Sequence, residues 1–524
     1  MDSLNGSSWD VVIAGTGLQP ALLALALSRS DKKVLHLDRN DYYGGSEGAL
    51  SIAEAETWSE RVNDNGGVLP FRNASIQKSE HAASHLKSAR AYSLSLSPCT
   101  LYTRSALLTT LVSSRTHEQL EFLAVGSWFV YQSSPDTNAS GSVGYLIRVP
   151  NNREDIFSGS ALTLRVKSAL VRFLRFVVTY SSQEELETWM GWKDKPFSEF
   201  LVKRFKIQAE YHGPLLALSM SSKPNDEITT EVALASIRRH LTSMGVFGAG
   251  FSAVLPKYGG LSEVVQVACR AAAVGGAVYV LDRAIERVES ASTSEGVSVR
   301  VFAHGNDTLT TKHLIGTIDQ LPEQTQPPGA TEFDIVCSRT ISIVGSRFSH
   351  LFPPPAEGSP PPSAAVVVYP SGSIADHMQA SANLCPVHLF IHTADTGECP
   401  SGQCVVYAMT SGDLQTSSSF LDVAVQRLLA SAEEEPAPQV LWKMEYETLA
   451  SSSGPRVHQN SQVDGLYIFT EPPPGPAFDD LVLDGVKRVW RSVTGEPDDH
   501  FMRFTDRNAD AETEAGETAD TEAS

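Results

Sequence analysis

Residues 9–45 read WDVVIAGTGLQPALLALALSRSDKKVLHLDRNDYYGG, and this stretch decides the fold. A short apolar run is followed by two glycines, a stretch of good helix formers, a second apolar run and an acid. These are, in order, residues 11–13, Gly15 and Gly17, residues 21–27, residues 34–37 and Asp38. The order is that of a dinucleotide-binding unit, in which a helix N-terminus faces a pyrophosphate and the acid binds a ribose. The stretch therefore predicts an α/β, Rossmann-like scaffold.

The cofactor part of this pattern is incomplete. Pro20 stands where the fingerprint has its third glycine, which lets helix and strand pack closely. A flavin enzyme of this general fold also returns a late strand that ends in Gly-Asp or Gly-Glu beside the cofactor. Here the predicted strand 465–469 runs into Glu471 and three prolines, 472–474, which have no N–H to donate. We therefore expect no bound cofactor, and a flavin-dependent oxidoreductase is kept as an alternative.

Length, charge and cysteine content narrow the class of protein. A chain of 524 residues is too long for one ordinary hydrophobic core, so more than one domain is expected. Its net charge of −20 disfavours nucleic acid as a partner. The six cysteines suit reduced thiols better than disulfides, and none lies in a metal-binding box, so no metal is expected. No signal peptide, membrane span, prenylatable C-terminal cysteine or G-x-x-x-x-G-K-[ST] loop is found, which predicts a cytosolic protein that is not itself a GTPase. No catalytic constellation has motif spacing, so no catalytic residues are assigned.

The hydrophobic patterns divide the chain into a large domain, a small helical domain and a tail. The predicted boundaries are 1–150 and 223–505 for the two parts of the large domain with mixed β-sheets, 151–222 for the helical domain, and 506–524 for a disordered acidic tail. Residues 161–180 place apolar side chains at helical spacing on one face. That face either packs as a core or opens to a long hydrocarbon. Residues 66–89 are predicted as a surface loop.

Two segments resemble one known family. Residues 38–45, DRNDYYGG, with the unit before them, are similar to the opening of the Rab escort protein and Rab GDP-dissociation inhibitor superfamily. Residues 255–288 resemble its second signature, in which P-x-Y-G leads to a helix bearing a glutamate and, seven residues on, an arginine. Glu263 and Arg270 keep that spacing, although both follow Tyr258 one residue later than in the family pattern. Seven residues are about two helical turns, so both side chains project from one face.

The resemblance implies a fold, partners and site residues. The fold would be an FAD/NAD(P)-binding type of large domain, as in the GDP-dissociation inhibitors, with a small all-helical domain. The partners would be GDP-bound Rab GTPases, contacted through Tyr43, Glu263 and Arg270. Without the resemblance, Glu263 and Arg270 suit a solvated helix face equally well. The family also implies that the helical domain receives the geranylgeranyl group of the Rab.

Within the superfamily, the escort branch is favoured over the recycling inhibitor. In the escort branch a phenylalanine that opens a helix of the small domain inserts into Rab geranylgeranyl transferase, an α/β heterodimer, and a basic residue lies about three turns on. Phe157 matches that phenylalanine, and Lys167 stands beside the position of the basic residue, which is Ser168 here. The alternative for Phe157 is packing onto its own helix.

For the whole chain, the resemblance thus implies an accessory protein of the fungal type. It would present the Rab to the transferase and carry the product to membranes by transient contact. The recycling inhibitor, which extracts prenylated Rab from membranes, is the runner-up.

Overall fold

The computed structural model describes residues 4–64, 68–80, 82–133, 144–149, 163–248, 250–293, 296–326, 333–354, 358–374 and 385–504. The predictions made for Phe157 and for the tail 506–524 fall outside these residues and stay predictions.

The described strands form two large sheets and one small one. Their bounds are β1 Ser8–Ala14, β2 Val34–Leu37, β3 Ala49–Leu50, β4 Phe71–Lys78, β5 Leu94–Ser95, β6 Leu101–Tyr102, β7 Phe122–Gln132, β8 Tyr145–Arg148, β9 Ala253–Pro256, β10 Val278–Val280, β11 Ile285–Thr293, β12 Gly296–Ala303, β13 Asp307–Thr317, β14 Ile335–Val344, β15 Ala364–Tyr369, β16 Val387–Thr393, β17 Cys404–Ser411, β18 Val440–Ala450, β19 Val457–Gln459 and β20 Leu466–Phe469.

The described α-helices range from single turns to long helices. They are α1 Leu18–Ser28, α2 Ile52–Asn63, α3 Ala82–His85, α4 Ala106–Ser113, α5 Leu164–Thr179, α6 Leu186–Trp189, α7 Phe197–Phe200, α8 His212–Leu218, α9 Thr230–Ser243, α10 Leu261–Val274, α11 Leu414–Ala430 and α12 Leu481–Thr494. A π-helical turn, Leu201–Phe205, follows α7 directly.

The first sheet has eight described strands and is built around β1. β1 lies between β2 and β13 and is parallel to both, while β10 and β20 extend the parallel part. β11 and β12 continue the sheet from β13 as an antiparallel hairpin. α1 connects β1 to β2 and is buried on all sides, since it contacts α10 and α12 as well as the sheet. This burial explains why α1 is apolar around its whole circumference.

The second sheet has ten described strands in the order β4-β18-β14-β17-β16-β15-β7-β9-β6, with β8 paired to β7. Its pairs are antiparallel except for β15 with β7. α11 packs on β14, β16, β17 and β18. Together, the two mixed sheets and the helical group confirm the predicted fold class, an FAD/NAD(P)-binding type of large domain with added helices.

The helical group consists of α5 to α9 and the π-helical turn Leu201–Phe205. It is centred on α5, which contacts α9 and the π-helical turn. Phe173 and Val177 of α5 are fully buried, in agreement with the predicted apolar face. Arg165, Arg172 and Arg175 are exposed. α9 packs against α5, α7 and α8, although it lies beyond residue 222 in the sequence. The domain boundaries stay predictions.

The prediction of a surface loop over residues 66–89 was wrong. Residues Phe71–Lys78 form β4, which pairs antiparallel with β18 at the edge of the second sheet. Only Phe71 and Ala74 of this strand are buried, so its sequence FRNASIQK lacks the alternation that marks a strand. The strand exists because β18, more than 350 residues later (Trp442↔Lys78), supplies its hydrogen-bonding partner.

Candidate functional site

The N-terminus of α1 holds a carboxyl group of the chain itself. The backbone N–H of Leu18 donates a hydrogen bond of 3.0 Å to Oε2 of Glu47. Glu47 is only 9% exposed, and burial raises the pKa of its carboxyl. A Cβ on Gly17 would lie 3.2 Å from the same Oε2, so the carboxyl closely approaches the backbone. A helix N-terminus attracts anions because its first N–H groups lack helical partners, so Glu47 holds the position that this motif gives to a phosphate.

Asp38, the acid at the end of β2, is bound to other groups of the chain. Its Oδ2 accepts hydrogen bonds from the N–H of Thr16 at 2.7 Å and from the Thr16 hydroxyl at 2.6 Å. Its Oδ1 accepts one from the N–H of Asn40 at 2.8 Å. Burial raises the pKa of Asp38 to about 6, although these hydrogen bonds act in the opposite direction. Both carboxylate oxygens that would bind a ribose therefore already accept hydrogen bonds from the chain itself.

The space above the glycine turn is also filled. A Cβ on Gly15 would lie 2.7 Å from Cγ of Gln320, whose Oε1 accepts a hydrogen bond of 3.0 Å from the N–H of Arg39. The residues around the turn therefore do not fit a bound dinucleotide. They close its position with side chains from this chain.

Glu471 follows β20, the late strand that approaches the cofactor in flavin enzymes of this fold. It accepts a hydrogen bond of 3.2 Å from the hydroxyl of Ser46. Burial raises its pKa well above the usual value, and the nearby carboxyls of Glu47 and Asp319 add to the effect. Glu471 and Glu47 both line a cavity together with Pro472, Pro473 and Pro474, among other residues.

Pro20 turns out to be compatible with the helix. It lies in the first turn of α1, where the N–H groups have no helical partner, so its ring removes no hydrogen bond. The N–H of the next residue, Ala21, bonds to the carbonyl of Gly17 at 2.9 Å.

Sequence reasoning missed Glu47, which lies 29 residues after its partner Leu18 and belongs to no spacing motif.

Tyr43 lies at the surface beside this closed position. Its side chain is 36% exposed, and its ring centroid lies 6.1 Å from that of Tyr279 in β10. The Tyr279 ring lies 4.7 Å from that of His36 in β2. Partial burial raises the pKa of Tyr43, and the neighbouring Cys269 of α10 contributes to that rise. Tyr43 is thus next to the helix that carries the other two predicted contact residues.

Glu263 and Arg270 project from α10 as predicted by their spacing. Glu263 lies in the first turn and is partly buried, whereas Arg270 is exposed. Burial raises the pKa of Glu263, and the positive charge of Arg270 partly opposes that rise. Between Tyr258 and α10, Gly259 and Gly260 have φ angles of +117° and +65°. Glu263 and Arg270 therefore lie on one helix, α10, whose Cys269 is close to Tyr43.

Tyr258 is a surface aromatic of this region that was not assigned a role. It is 50% exposed and has a φ of +70°. Its N–H donates to the carbonyl of Thr396 at 2.8 Å, and its carbonyl accepts from the hydroxyl of Ser93 at 2.9 Å. Its ring covers Gly397, where an added Cβ would lie 2.4 Å from Cδ1. These hydrogen bonds hold the backbone of Tyr258, while its side chain stays partly exposed to solvent.

Lys167, predicted to contact the transferase, lies in the first turns of α5. It is 8% exposed and makes interactions within the chain. Ser168, beside it, is exposed. Phe157 lies outside the described residues, so the joint role of Phe157 and Lys167 stays a prediction.

Across the described ranges, no helix is both long enough and apolar enough to cross a bilayer. The same residues contain no group of three or more histidine, cysteine, aspartate or glutamate side chains placed to hold a metal ion.

Comparisons with known sequences identify one family. The sequence profile described as "GDI: GDP dissociation inhibitor" matches residues 5–344. The chain is 31% identical over 419 residues to the "Rab proteins geranylgeranyltransferase component A" of Saccharomyces cerevisiae, covering 80% of this chain and 64% of that protein. It is 27% identical over 442 residues to the protein of the same name from Candida albicans, covering 82% of this chain and 64% of that protein. The chain therefore covers less than two thirds of the length of each.

A solved structure shares the fold. The Rab GDI of Plasmodium falciparum superposes with a TM-score of 0.64 at 16% identity, covering 94% of this chain and 99% of that one. At this level of identity the similarity shows the fold alone.

Proposed function

The chain belongs to the GDP dissociation inhibitor family, and from this premise we propose that it acts as a Rab escort protein. In this role it binds newly made, GDP-bound Rab GTPases and presents them to the α/β heterodimer of Rab geranylgeranyl transferase. It then carries the prenylated product to membranes, which it contacts only transiently from the cytosol. The transferase supplies the chemistry, and this chain acts as its accessory subunit.

The observation that supports the proposal is that the partly exposed Tyr43 lies close to Cys269 of α10, the helix that carries Glu263 and Arg270. A tyrosine, a carboxylate and a guanidinium on one surface would be the kind of groups that dominate protein–protein binding energy. Glu47 accepts a hydrogen bond at the helix N-terminus where a flavin enzyme of this fold would bind a cofactor phosphate, and Glu471 lies beside it at the same cavity. Flavin enzymes of this fold use this region to bind a cofactor, whereas this chain would use the neighbouring surface to bind a Rab. The two fungal relatives named component A support the escort branch.

The helical group would receive the geranylgeranyl chain. Its core is filled by phenylalanine rings, with centroid separations of 5.2 Å between Phe173 and Phe205 and 5.1 Å between Phe176 and Phe205. A twenty-carbon chain would gain roughly 0.8 kcal/mol per buried methylene. Entry requires these rings to separate, so lipid binding would be coupled to a rearrangement of α5 against the π-helical turn.

Reconstituted prenylation tests the proposal. Transferase, an unprenylated Rab loaded with GDP and geranylgeranyl diphosphate are mixed with and without this protein, and lipid transfer is followed by mass spectrometry. Transfer should depend on the protein. Extraction of prenylated Rab from vesicles without support of transfer would instead identify the recycling inhibitor. A flavin absorbance band of the purified protein in the visible range would identify an oxidoreductase.

A substitution on α10 tests the Rab surface directly. Arg270→Ala should weaken binding of the GDP-loaded Rab by about tenfold or more, because it removes a charged contact at an interface. Titration calorimetry measures the dissociation constant. Arg300→Ala, an exposed arginine of β12, is the matched control and should bind like the wild type. Equal affinities for all three proteins would contradict the assignment of Arg270.

A further inference from the structure

The loop between β2 and Glu47, residues 38–47, carries Tyr43 and is fixed at both ends. Asp38 holds its start through the N–H and hydroxyl of Thr16. Glu47 holds its end through the N–H of Leu18 at 3.0 Å. In the middle, the N–H of Gly44 donates to the Thr16 hydroxyl at 3.0 Å. The loop is therefore tied to the glycine turn at three points.

The backbone next to Tyr43 is tightly constrained. Gly44 has a φ of +106°, and a Cβ there would lie 2.9 Å from Cα of Gly48. Gly45 has a φ of +50°. Such a turn does not persist by itself, so its conformation depends on the contacts that hold its ends. At the Glu47 end, the buried carboxyl of Glu47 is the contact that ties the loop to α1, while Ser46 bonds to Glu471 at 3.2 Å and to the Ser97 hydroxyl at 2.8 Å.

We infer that Glu47 is a positioning residue for Rab binding. Its carboxyl occupies, at the N-terminus of α1, the place of a cofactor phosphate, and so anchors the loop that presents Tyr43. This inference rests on the proposed Rab-binding function. The hydrogen bond between Glu47 and the Leu18 N–H would thus both occupy the cofactor position and hold the loop that presents Tyr43.

The anchor can be removed and restored chemically. Glu47→Ala deletes a fragment equivalent to acetate, and it should lower the melting temperature. Added acetate should partly restore that temperature by refilling the helix N-terminus, while sodium chloride at equal ionic strength should not. Glu47→Gln keeps an acceptor for the Leu18 N–H and should lie between wild type and Glu47→Ala. Glu60→Ala, an exposed glutamate of α2, is the matched control and should respond to neither salt. Absence of selective acetate rescue would overturn the anchor.

Rab affinity tests the positioning role. Glu47→Ala should weaken binding about 5- to 30-fold, the range for losing one or two kcal/mol of ordering. The double variant with Tyr43→Ala should bind no more weakly than Tyr43→Ala alone, whereas the effects of Glu47→Ala and Arg270→Ala should multiply. Acetate should recover the affinity of Glu47→Ala together with its melting temperature. If Tyr43→Ala weakens binding and Glu47→Ala does not, the positioning role is wrong. If the wild type binds no Rab, the proposed function has failed instead, while the acetate experiment still decides the anchor.

Discussion

At the scale of single residues, the molecule concentrates buried carboxyl groups where its fold would place a cofactor. Asp38, Glu47, Asp319 and Glu471 all have their pKa raised, with burial as the main cause. Hydrogen bonds from Thr16, Leu18 and Ser46 only partly offset this effect. The contribution of such groups to folding stability falls as pH rises from the unfolded-state pKa towards the folded-state pKa.

Glu471→Gln should therefore stabilise the protein at high pH. The folded-state pKa of Glu471 lies above its unfolded value, so its favourable contribution is present below the unfolded pKa and lost as pH rises towards the folded one. Each pH unit in that window costs the wild type up to about 1.4 kcal/mol, and the glutamine variant avoids this loss. Calorimetric melting at about pH 6 and about pH 8 should show a larger gain at the higher pH.

Glu60→Gln, on the exposed face of α2, serves as the control and should show no such pH dependence. A gain for Glu471→Gln that stays constant or shrinks as pH rises would contradict this account.

At the scale of elements, the helical group depends on packing between short helices. α6 and α7 have four residues each and would not be stable alone. They are held by aromatic contacts, among which Phe205 lies 5.1–5.5 Å from Phe173, Phe176 and Phe200. The element that receives the lipid in our proposal is thus held together by a few rings.

Phe205→Ala should destabilise the protein by about 3–5 kcal/mol, because it leaves a cavity where a buried ring contacted three others. Urea unfolding followed by tryptophan fluorescence measures the loss. Phe247→Ala is the matched control, since Phe247 is 60% exposed, and it should change stability by no more than about 0.5 kcal/mol. Similar losses for both variants would show that the ring cluster is not a packed core.

At the scale of the whole molecule, the two proposed binding surfaces come from different parts of the fold. Tyr43, Glu263 and Arg270 lie beside the first sheet, whereas Lys167 belongs to the helical group. Phe157 is predicted to precede that group in the chain. Contacts made by separate regions should respond separately to mutation.

Phe157→Ala should accordingly weaken transferase binding by roughly 30-fold, as expected for an aromatic anchor worth about 2 kcal/mol, and leave Rab affinity unchanged. Arg270→Ala should show the reverse pattern. Binding of each partner alone, measured by surface plasmon resonance, provides the comparison. Equal losses for both partners in the Phe157 variant would place its effect in folding and refute the assigned contact.

The fold could be predicted where its determinants are local. The β1–α1–β2 unit was predicted because glycines, apolar runs and the acid lie within 37 residues, Trp9 to Gly45. β4 was missed because its polar sequence becomes a strand only against β18. For the site, the spacing of Glu263 and Arg270 placed them on one helix, and Tyr43 came from the family resemblance. Glu47 could not be predicted, since its role depends on a contact with a backbone N–H 29 residues away.

The Glu47 carboxyl at the start of α1 affects whether folding depends on the supply of a cofactor. A flavoprotein gains stability from its prosthetic group by mass action, so its folded population follows the cellular abundance of that group. Here the carboxyl group that accepts the Leu18 N–H belongs to the polypeptide itself, so its effective concentration at the helix is set by the length of its tether. Under the proposed function, the folded population of this protein should therefore not change when cells are starved of riboflavin.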